Sequence, residues 1–232
     1  MTARRLALFD LDHTLLPLDS DYQWADYLAR TGRAGDPDQA RRTNDDLMNR
    51  YNAGDLTAEQ AAEFMLGLLA PHSPADLAHW HELFMTEVIR PAIQPAAIAL
   101  VQRHLEDGDL CAVVTATNSF VTAPIARAFG VPHLIATTPG FERGRYTGFI
   151  DGVPSFREGK IVRVNQWLKD MGLALSSFER STFYSDSIND VPLLEVVTHP
   201  VAVNPSPALA AIAQSHGWPR IDLFSHLQDQ KS

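Results

Sequence analysis

Cysteine is nearly absent from this sequence, and cationic side chains are fewer than acidic ones. The single cysteine among the 232 residues is Cys111, which excludes an intramolecular disulfide framework and a four-cysteine zinc site. Lys and Arg number 19 against 28 Asp and Glu, which gives a formal charge of −9 at pH 7. Because proteins that bind nucleic-acid backbones carry a basic surface, no nucleic acid partner is predicted.

Long hydrophobic runs are missing as well. The first apolar run, residues 6–9, ends at Asp10 and is too short for a signal peptide. No stretch reaches the roughly 18 uninterrupted apolar residues that a membrane-spanning helix needs. The sequence therefore predicts no membrane partner and, with its single cysteine, a cytoplasmic protein. No oligomeric state is predicted.

Short apolar runs alternate with longer amphipathic ones, which is typical of a parallel α/β sheet. The predicted strands are residues 6–9, 110–115, 134–138, 181–185 and 201–204. Apolar residues recur at helical spacing over residues 94–107, 119–129 and 159–171, which predicts three helices. A glycine follows two of them, Gly108 after the first and Gly130 after the second. Residues 141–152 predict a β-hairpin that turns at Arg143-Gly144. The pattern predicts an α/β fold with a Rossmann-like parallel sheet.

A long helical segment interrupts this alternation. Residues 20–93 contain no convincing strand and three or four helical stretches. A helical block between the first and second strands predicts an inserted cap domain above the carboxyl ends of the strands, where ligands bind in open parallel sheets. The predicted division is an α/β core at residues 1–18 and 94–232 and an all-helical cap at residues 19–93.

Two carboxylates follow the first predicted strand. They lie in the run Asp10-Leu-Asp12-His-Thr14, so both are expected at the edge of the sheet. Charges beside a buried strand usually have a partner or a metal ion. The alternative is a solvated turn, and the short motif alone does not decide between the two.

Three further motifs carry polar groups of the same kind. Thr115 ends the second strand at the start of a helix, where an anion could bind, although it could equally cap that helix. Lys160 starts a helix, where the helix dipole disfavours a cation, and it is either solvated or faces an anion. Asp186, Asn189 and Asp190 follow the fourth strand, where the alternative is the start of a capped helix.

Taken in this order, the four motifs resemble those of phosphatases of the haloacid dehalogenase superfamily. The resemblance spans essentially the whole chain and is closest to the subclass with a small helical cap, which contains the phosphoserine phosphatases. It implies a Rossmann-like core with an inserted helical cap, Mg²⁺ as the cofactor, and hydrolysis of a small-molecule phosphate ester. Transfer of the phosphoryl group to an alcohol remains open.

The resemblance also implies the roles of the catalytic residues. Asp10 would attack phosphorus and form an aspartyl-phosphate. Asp12 would protonate the leaving group and then deprotonate the attacking water. Thr115 and Lys160 would hold the phosphoryl oxygens, and Asn189 would contact the substrate phosphate.

Further implied roles concern the metal and the departures from the family pattern. Mg²⁺ would take a carboxylate oxygen of Asp10, the backbone carbonyl of Asp12 and the carboxylate of Asp186, with Asp190 outside these ligands. The sequence has Ala116 and Thr117 where phosphoserine phosphatases usually have glycines, so both are expected to shape the substrate pocket. His13, which stands where glycine or serine is frequent, is interpreted as a bystander.

The predicted cap has few cations. Residues 51–89 contain no Lys or Arg, whereas a phosphoserine carboxylate is best held by an arginine. This favours a cationic or neutral leaving group, so an amino-alcohol phosphate is predicted, with histidinol phosphate as the leading candidate. Its acidic and aromatic partners are expected at Asp19, Asp21, Tyr22 or Trp24.

Two alternatives remain open at this stage. Arg41, Arg42 and Arg50 flank the cation-free stretch and could bind a carboxylate, which keeps phosphoserine as a substrate. A non-catalytic protein that binds phosphate metabolites, or a regulatory protein on the same scaffold, is the second alternative.

Overall fold

One seven-stranded sheet forms the centre of the protein, whose computed structural model describes residues 4–53 and 55–224. Its strands are β1 (Arg5–Phe9), β2 (Leu110–Asn118), β3 (His133–Glu142), β4 (Arg145–Asp151), β5 (Arg180–Ser185), β6 (His199–Val203) and β7 (Arg220–Ile221). The spatial order is β4-β3-β2-β1-β5-β6-β7, and every neighbouring pair is parallel except β3 and β4. The carboxyl ends of β2, β1 and β5 therefore meet at one edge.

Both faces of the sheet are buried, as the apolar runs predict. Along β1, Ala7 and Phe9 point into one hydrophobic cluster, whereas Leu6 and Leu8 point into another on the opposite face. Side chains alternate between the faces of a strand, so helices must cover both. Cys111 lies inside β2, and burial, followed by the charge of Asp109, raises the pKa of its thiol to about 12.

The segment between β1 and β2 consists of helices joined by turns, with no strand among its described residues. It contains α1 (Ser20–Arg30), α2 (Pro37–Ala53), α3 (Ala58–Gly67), α4 (Pro74–Phe84), a π-helical turn (Met85–Ile89) and α5 (Arg90–Ala92). Asp19, Thr57 and Ser73 cap α1, α3 and α4 by accepting a backbone N–H in the first turn. The helical insertion is confirmed. The domain boundaries at residues 19 and 93 stay predictions, and residues 1–3, 54 and 225–232 of the assigned domains lie outside the described residues.

The inserted helices are anchored unequally. Helices α1 and α4 supply Trp24, Tyr27 and Phe84 to the hydrophobic cluster that also contains Phe9 of β1. Helix α2 contributes one buried apolar side chain among its described residues, Leu47, to a small separate cluster. The first and fourth helices are thus part of the main core, whereas α2 lies at its margin.

The remaining helices cover the sheet. They are α6 (Pro95–Glu106), α7 (Ser119–Ala128), α8 (Glu158–Asp170), α9 (Val191–Val196) and α10 (Pro207–His216). Gly108 and Gly130 follow α6 and α7 with φ of 75° and 76°, the left-handed conformation that ends many helices. Taken singly, no helix of the described residues is long and apolar enough to span a membrane, although α4 through α5 combined with α6, at a 95° bend, pass that test together.

Three features differ from the sequence prediction. Strand β2 continues through Asn118, because its last residues still pair with β3 after an irregularity. Strand β3 runs without a break into the predicted hairpin, which turns at Arg143-Gly144. Strand β7 was not predicted, since a two-residue edge strand is too short to show a period.

Candidate active site

The four sequence motifs meet at the carboxyl edge of the sheet. Asp10 follows β1, Thr115 lies in the last part of β2, and Asp186 follows β5. Lys160 is in the first turn of α8, and Asp190 immediately precedes α9. The parallel arrangement of the central strands is what brings residues distant in sequence to one place.

Both carboxylate oxygens of Asp10 are held. Oδ1 accepts a hydrogen bond from Lys160 Nζ at 2.8 Å, and Oδ2 accepts one from Thr14 Oγ1 at 2.9 Å. The Asp10 backbone N–H donates to the Tyr184 carbonyl at 2.9 Å, which continues the pairing of β1 with β5. The side chain is therefore fixed in orientation while 7% of the residue stays exposed.

Lys160 is a buried cation between two carboxylates. Its Nζ lies 2.8 Å from Asp10 and 2.7 Å from Asp190, and 2% of the residue is exposed. Burial alone lowers the pKa of Lys160, but the charges of Asp10 and Asp190 outweigh burial and raise it above its ordinary value. Ser185 Oγ also donates to Asp190 at 2.7 Å, so the partner of the lysine is itself fixed.

A close approach of two backbone segments places Lys160. Gly159 precedes it, and a Cβ at that position would collide with the carbonyl oxygen of Pro154. Only glycine lets the start of α8 pass this loop, and the helix then directs the next side chain inward.

Negative charge exceeds positive charge around the lysine. Asp10, Asp186 and Asp190 share this one cation among the described residues. Burial, followed by the charges of Asp10 and Asp190, raises the pKa of Asp186 to about 8. Thr14 Oγ1 lies 2.9 Å from Asp10 Oδ2 and 3.2 Å from Asp186 Oδ1, so two carboxylate oxygens flank one hydroxyl.

This surplus of oxygen ligands fits a hard divalent cation. Among the described residues no three His, Cys, Asp or Glu side chains are grouped so that they alone could hold a metal ion. An ion here would combine the carboxylates of Asp10 and Asp186 with backbone oxygen and water, a ligand set that Mg²⁺ accepts.

Asp12 faces away from this charged cluster. Its Oδ1 accepts from the Ser20 backbone N–H at 2.8 Å, and its Oδ2 accepts from Thr117 Oγ1 at 2.8 Å. Burial, followed by the charge of Asp19, raises the pKa of Asp12 to about 6, although the bonds from Ser20 and Thr117 oppose the shift. Near neutral pH such a carboxyl group can both give and take a proton.

Side-chain hydrogen bonds hold the second motif, which contains Ala116 and Thr117. Thr115 is buried, and its Oγ1 accepts the Thr117 backbone N–H at 3.2 Å. Asn118, not Thr115, caps α7 by accepting the Val121 backbone N–H at 3.2 Å. Asn118 Nδ2 also donates to Asp21 Oδ1 at 3.0 Å, so this segment holds a carboxylate of α1.

An acidic cavity of about 120 Å³ is lined in part by Thr117, the residue that donates to Asp12. Its lining residues are Asp19, Asp21, Leu47, Met48, Ala58, Glu59, Ala61, Ala62, Met65, Ala116, Thr117, Thr137, Pro154 and Phe156. Three of these described residues are carboxylates and none is Lys or Arg. Burial, followed by the charges of Asp19 and Asp12, raises the pKa of Asp21 well above its usual range, and no cation of the described part of the chain opposes this shift.

The arginines that could have clamped a substrate carboxylate do not line this cavity. Arg41 pairs with Asp26 at 3.3 Å and Arg50 with Asp46 at 3.9 Å, and both side chains are more than half exposed. Arg42 is exposed as well.

Two aromatic residues that the sequence suggests as substrate partners lie elsewhere, whereas His13 was interpreted as a bystander. Trp24 is 1% exposed in the main core, and Tyr22 donates to Asp45 at 2.7 Å, so neither lines the cavity. His13 is exposed, and its carbonyl accepts a hydrogen bond from Asn204 at 2.9 Å.

Sequence reasoning missed four contributors. Ser185 fixes Asp190, Glu59 and Phe156 line the cavity, and Arg157 donates to Asn189 Oδ1 at 3.2 Å. A signal existed for Ser185, which directly precedes Asp186. Glu59, Phe156 and Arg157 lie in segments that come together only in the folded protein, and no spacing in the sequence predicts this.

The sequence matches the model of one known protein family over most of its length. That family is the haloacid dehalogenase-like hydrolases, the match covers residues 7–195, and the chain belongs to this family.

Two relatives that are similar in sequence are named as phosphatases. The histidinol-phosphatase of Neisseria meningitidis serogroup C is 43% identical over 218 residues, which cover 93% of this chain and 97% of that protein. A phosphoserine phosphatase of Mycobacterium tuberculosis is 33% identical over 172 residues, covering 74% of this chain but 54% of that protein.

Solved structures agree on the fold. A protein of unknown function from Bordetella pertussis Tohama I has a TM-score of 0.95 at 74% identity, covering 96% of this chain and all of that one. A substrate-bound phosphoserine phosphatase has a TM-score of 0.67 at 19% identity, covering 98% and 99%, and shows the fold alone. The predicted family, fold class and enzyme class, a phosphomonoester hydrolase, are confirmed.

Proposed function

We propose that this chain hydrolyses the phosphate ester of a small amino alcohol with Mg²⁺, and that histidinol phosphate is the leading substrate. One observation carries the choice of substrate: among the described residues, the cavity next to Thr117 is lined by three carboxylates and by neither Lys nor Arg. A protonated amine is favoured in such a cavity, whereas a substrate carboxylate is repelled. The similarity to the Neisseria histidinol-phosphatase supports the same choice.

Asp10 is the nucleophile in this proposal. One of its carboxylate oxygens forms a bond to phosphorus while the bond from phosphorus to the alcohol oxygen breaks. Lys160 and Thr115 stabilise the charge on the phosphoryl oxygens, together with Asn189. A bound Mg²⁺ supplies further neutralisation of that charge.

Asp12 moves the protons in this proposal. Its protonated form donates to the departing alcohol oxygen, and the carboxylate then takes a proton from the water that attacks the aspartyl-phosphate. Inorganic phosphate leaves, and Asp10 is restored as a carboxylate. A pKa of about 6 suits both steps, because both forms of Asp12 are present near neutral pH.

A direct comparison of two substrates tests the proposal. Phosphate release from L-histidinol phosphate should exceed release from L-phosphoserine in the presence of Mg²⁺. A preference for phosphoserine would contradict the role of the acidic cavity. Release from neither would favour another ester or the non-catalytic alternative.

Glu59→Gln is expected to lower kcat/KM for histidinol phosphate about 5- to 20-fold, because it removes one charge that attracts the amine. The value for p-nitrophenyl phosphate, which has no amine, should stay within about twofold. Glu63→Gln is the matched control, since Glu63 lies one turn further along the same helix and is exposed. Equal losses of kcat/KM on both substrates would show that Glu59 does not interact with the amine of the leaving group.

Binding of Mg²⁺ should raise the melting temperature through Asp186. At 100 times its dissociation constant the ion stabilises the fold by about 2.7 kcal/mol, or ~5–10 °C for a protein of this size. Asp186→Asn should melt at a higher temperature than the wild type without metal, because it relieves repulsion from Asp10 and Asp190. The Mg²⁺-dependent increase should be small in this variant. An increase equal to that of the wild type would exclude Asp186 as a ligand.

A further inference from the structure

Arg157 has a backbone conformation that residues with a side chain rarely adopt. Its φ is +48° and its ψ is −123°, a region that glycine enters without strain. Strained conformations of this kind persist where the surroundings hold them in place, and they cluster at functional sites. The contacts of the Arg157 side chain are therefore informative.

The Arg157 guanidinium is held although the residue is exposed. Its Nε donates to Asn189 Oδ1 at 3.2 Å, and its Cζ lies 5.2 Å from the ring centroid of Phe156, which lines the acidic cavity. A planar guanidinium stacks on an aromatic ring and donates in a fixed direction. Arg157 thus joins the segment before α8 to the segment before α9.

The same two segments are joined a second time inside the site, by Lys160 and Asp190 at 2.7 Å. The hydrogen bond from Arg157, by contrast, is made to the side-chain amide of Asn189, the residue directly before Asp190. An amide side chain has one end that accepts hydrogen bonds and one end that donates them, whereas a guanidinium only donates. Arg157 therefore occupies the accepting end of Asn189 and leaves its Nδ2 donors for an acceptor such as a phosphate oxygen.

We propose that Arg157 is a positioning residue that fixes the Asn189 amide with its donor end toward the substrate phosphate. The proposal rests on the proposed function, in which Asn189 contacts that phosphate. Without Arg157 the Asn189 amide can rotate and present its oxygen to the phosphate. The amide oxygen and the phosphate oxygens then repel each other. The effect concerns the phosphate group and is the same for every leaving group.

Arg157→Gly separates this role from a structural one. Since glycine relieves the backbone strain, the melting temperature should stay equal or rise by about 2–4 °C. Nevertheless kcat/KM for p-nitrophenyl phosphate should fall about 10-fold, and the dissociation constant of inorganic phosphate, measured by calorimetry with Mg²⁺, should rise by a similar factor. Arg157→Lys, which keeps a cationic donor group, should restore part of the loss.

Arg143→Gly is the matched control, because Arg143 is an exposed arginine with φ of +49° in the hairpin turn. Its melting temperature should change in the same direction while kcat/KM and phosphate binding stay constant. A tenfold loss of phosphate affinity in this control would overturn the proposal.

A double-mutant cycle with Asn189→Ala tests whether Arg157 acts through Asn189. In that background Arg157→Gly should change phosphate affinity less than about twofold. The full tenfold loss there, or unchanged phosphate binding in Arg157→Gly alone, would overturn the proposal. Calorimetry with inorganic phosphate needs no turnover, so a wrong choice of amino-alcohol substrate leaves this test intact.

Discussion

Asp10→Asn is expected to lower the rate of phosphate release by at least ~10⁴-fold, because an amide cannot replace the attacking carboxylate. The fold should persist, since an amide oxygen can still accept the bond from Lys160. Phosphate release and acid-quenched trapping of the phosphorylated protein measure the two parts of this prediction. The wild type should accumulate a covalent phosphate on Asp10, and the variant should not.

Asp170→Asn is the control for Asp10→Asn, because Asp170 is exposed at the end of α8. It should retain the wild-type rate. A rate for Asp10→Asn within tenfold of the wild type would show that another group attacks phosphorus.

Lys160→Met is expected to remove activity and also to destabilise the fold. The substitution leaves Asp10 and Asp190 buried without their shared cation. Breaking a buried ion pair from one side costs about 3–5 kcal/mol, which corresponds to a loss of ~10 °C in melting temperature. Thermal unfolding measured with and without Mg²⁺ tests this expectation.

Lys169→Met supplies the comparison for Lys160→Met. Lys169 lies on the same helix but is exposed in its last turn, so its loss should change the melting temperature by less than ~2 °C. Equal effects of the two substitutions would mean that Lys160 is not held as a buried cation between the carboxylates.

The charged half of the site could be predicted from sequence because strands organise it. Asp10, Thr115 and Asp186 each lie at or just past the end of a recognisable apolar run, and parallel strands bring such ends to one edge. Lys160 could be placed by its position at the start of a helix. The roles of these residues stay predictions until they are tested.

The cavity could be predicted only in its charge. The absence of Lys and Arg from residues 51–89 predicted an acidic environment, and Glu59 contributes to it. Phe156 joins the same cavity from a loop almost a hundred residues away, which no local pattern reveals. Trp24 was grouped with possible substrate partners, but its size and apolar character place it in the core.

Helix α2 contacts α1 through polar side chains as well as through Leu47. Asn44 donates to the Tyr22 carbonyl at 3.3 Å, and Arg41 pairs with Asp26 at 3.3 Å on the surface. Asn44 is buried, whereas the Arg41 side chain is 59% exposed, so salt screens its ion pair with Asp26 and water can replace that contact at little loss of free energy.

Displacement of α2 therefore exposes far less apolar area than displacement of α1 or α4, which bury Trp24 and Phe84 in the main core. Because α2 also supplies Leu47 and Met48 to the cavity wall, an outward movement of this helix would open the cavity. We therefore expect the ease of substrate access and product release to vary with ionic strength, while the hydrophobic core and the charged cluster around Lys160 remain in place.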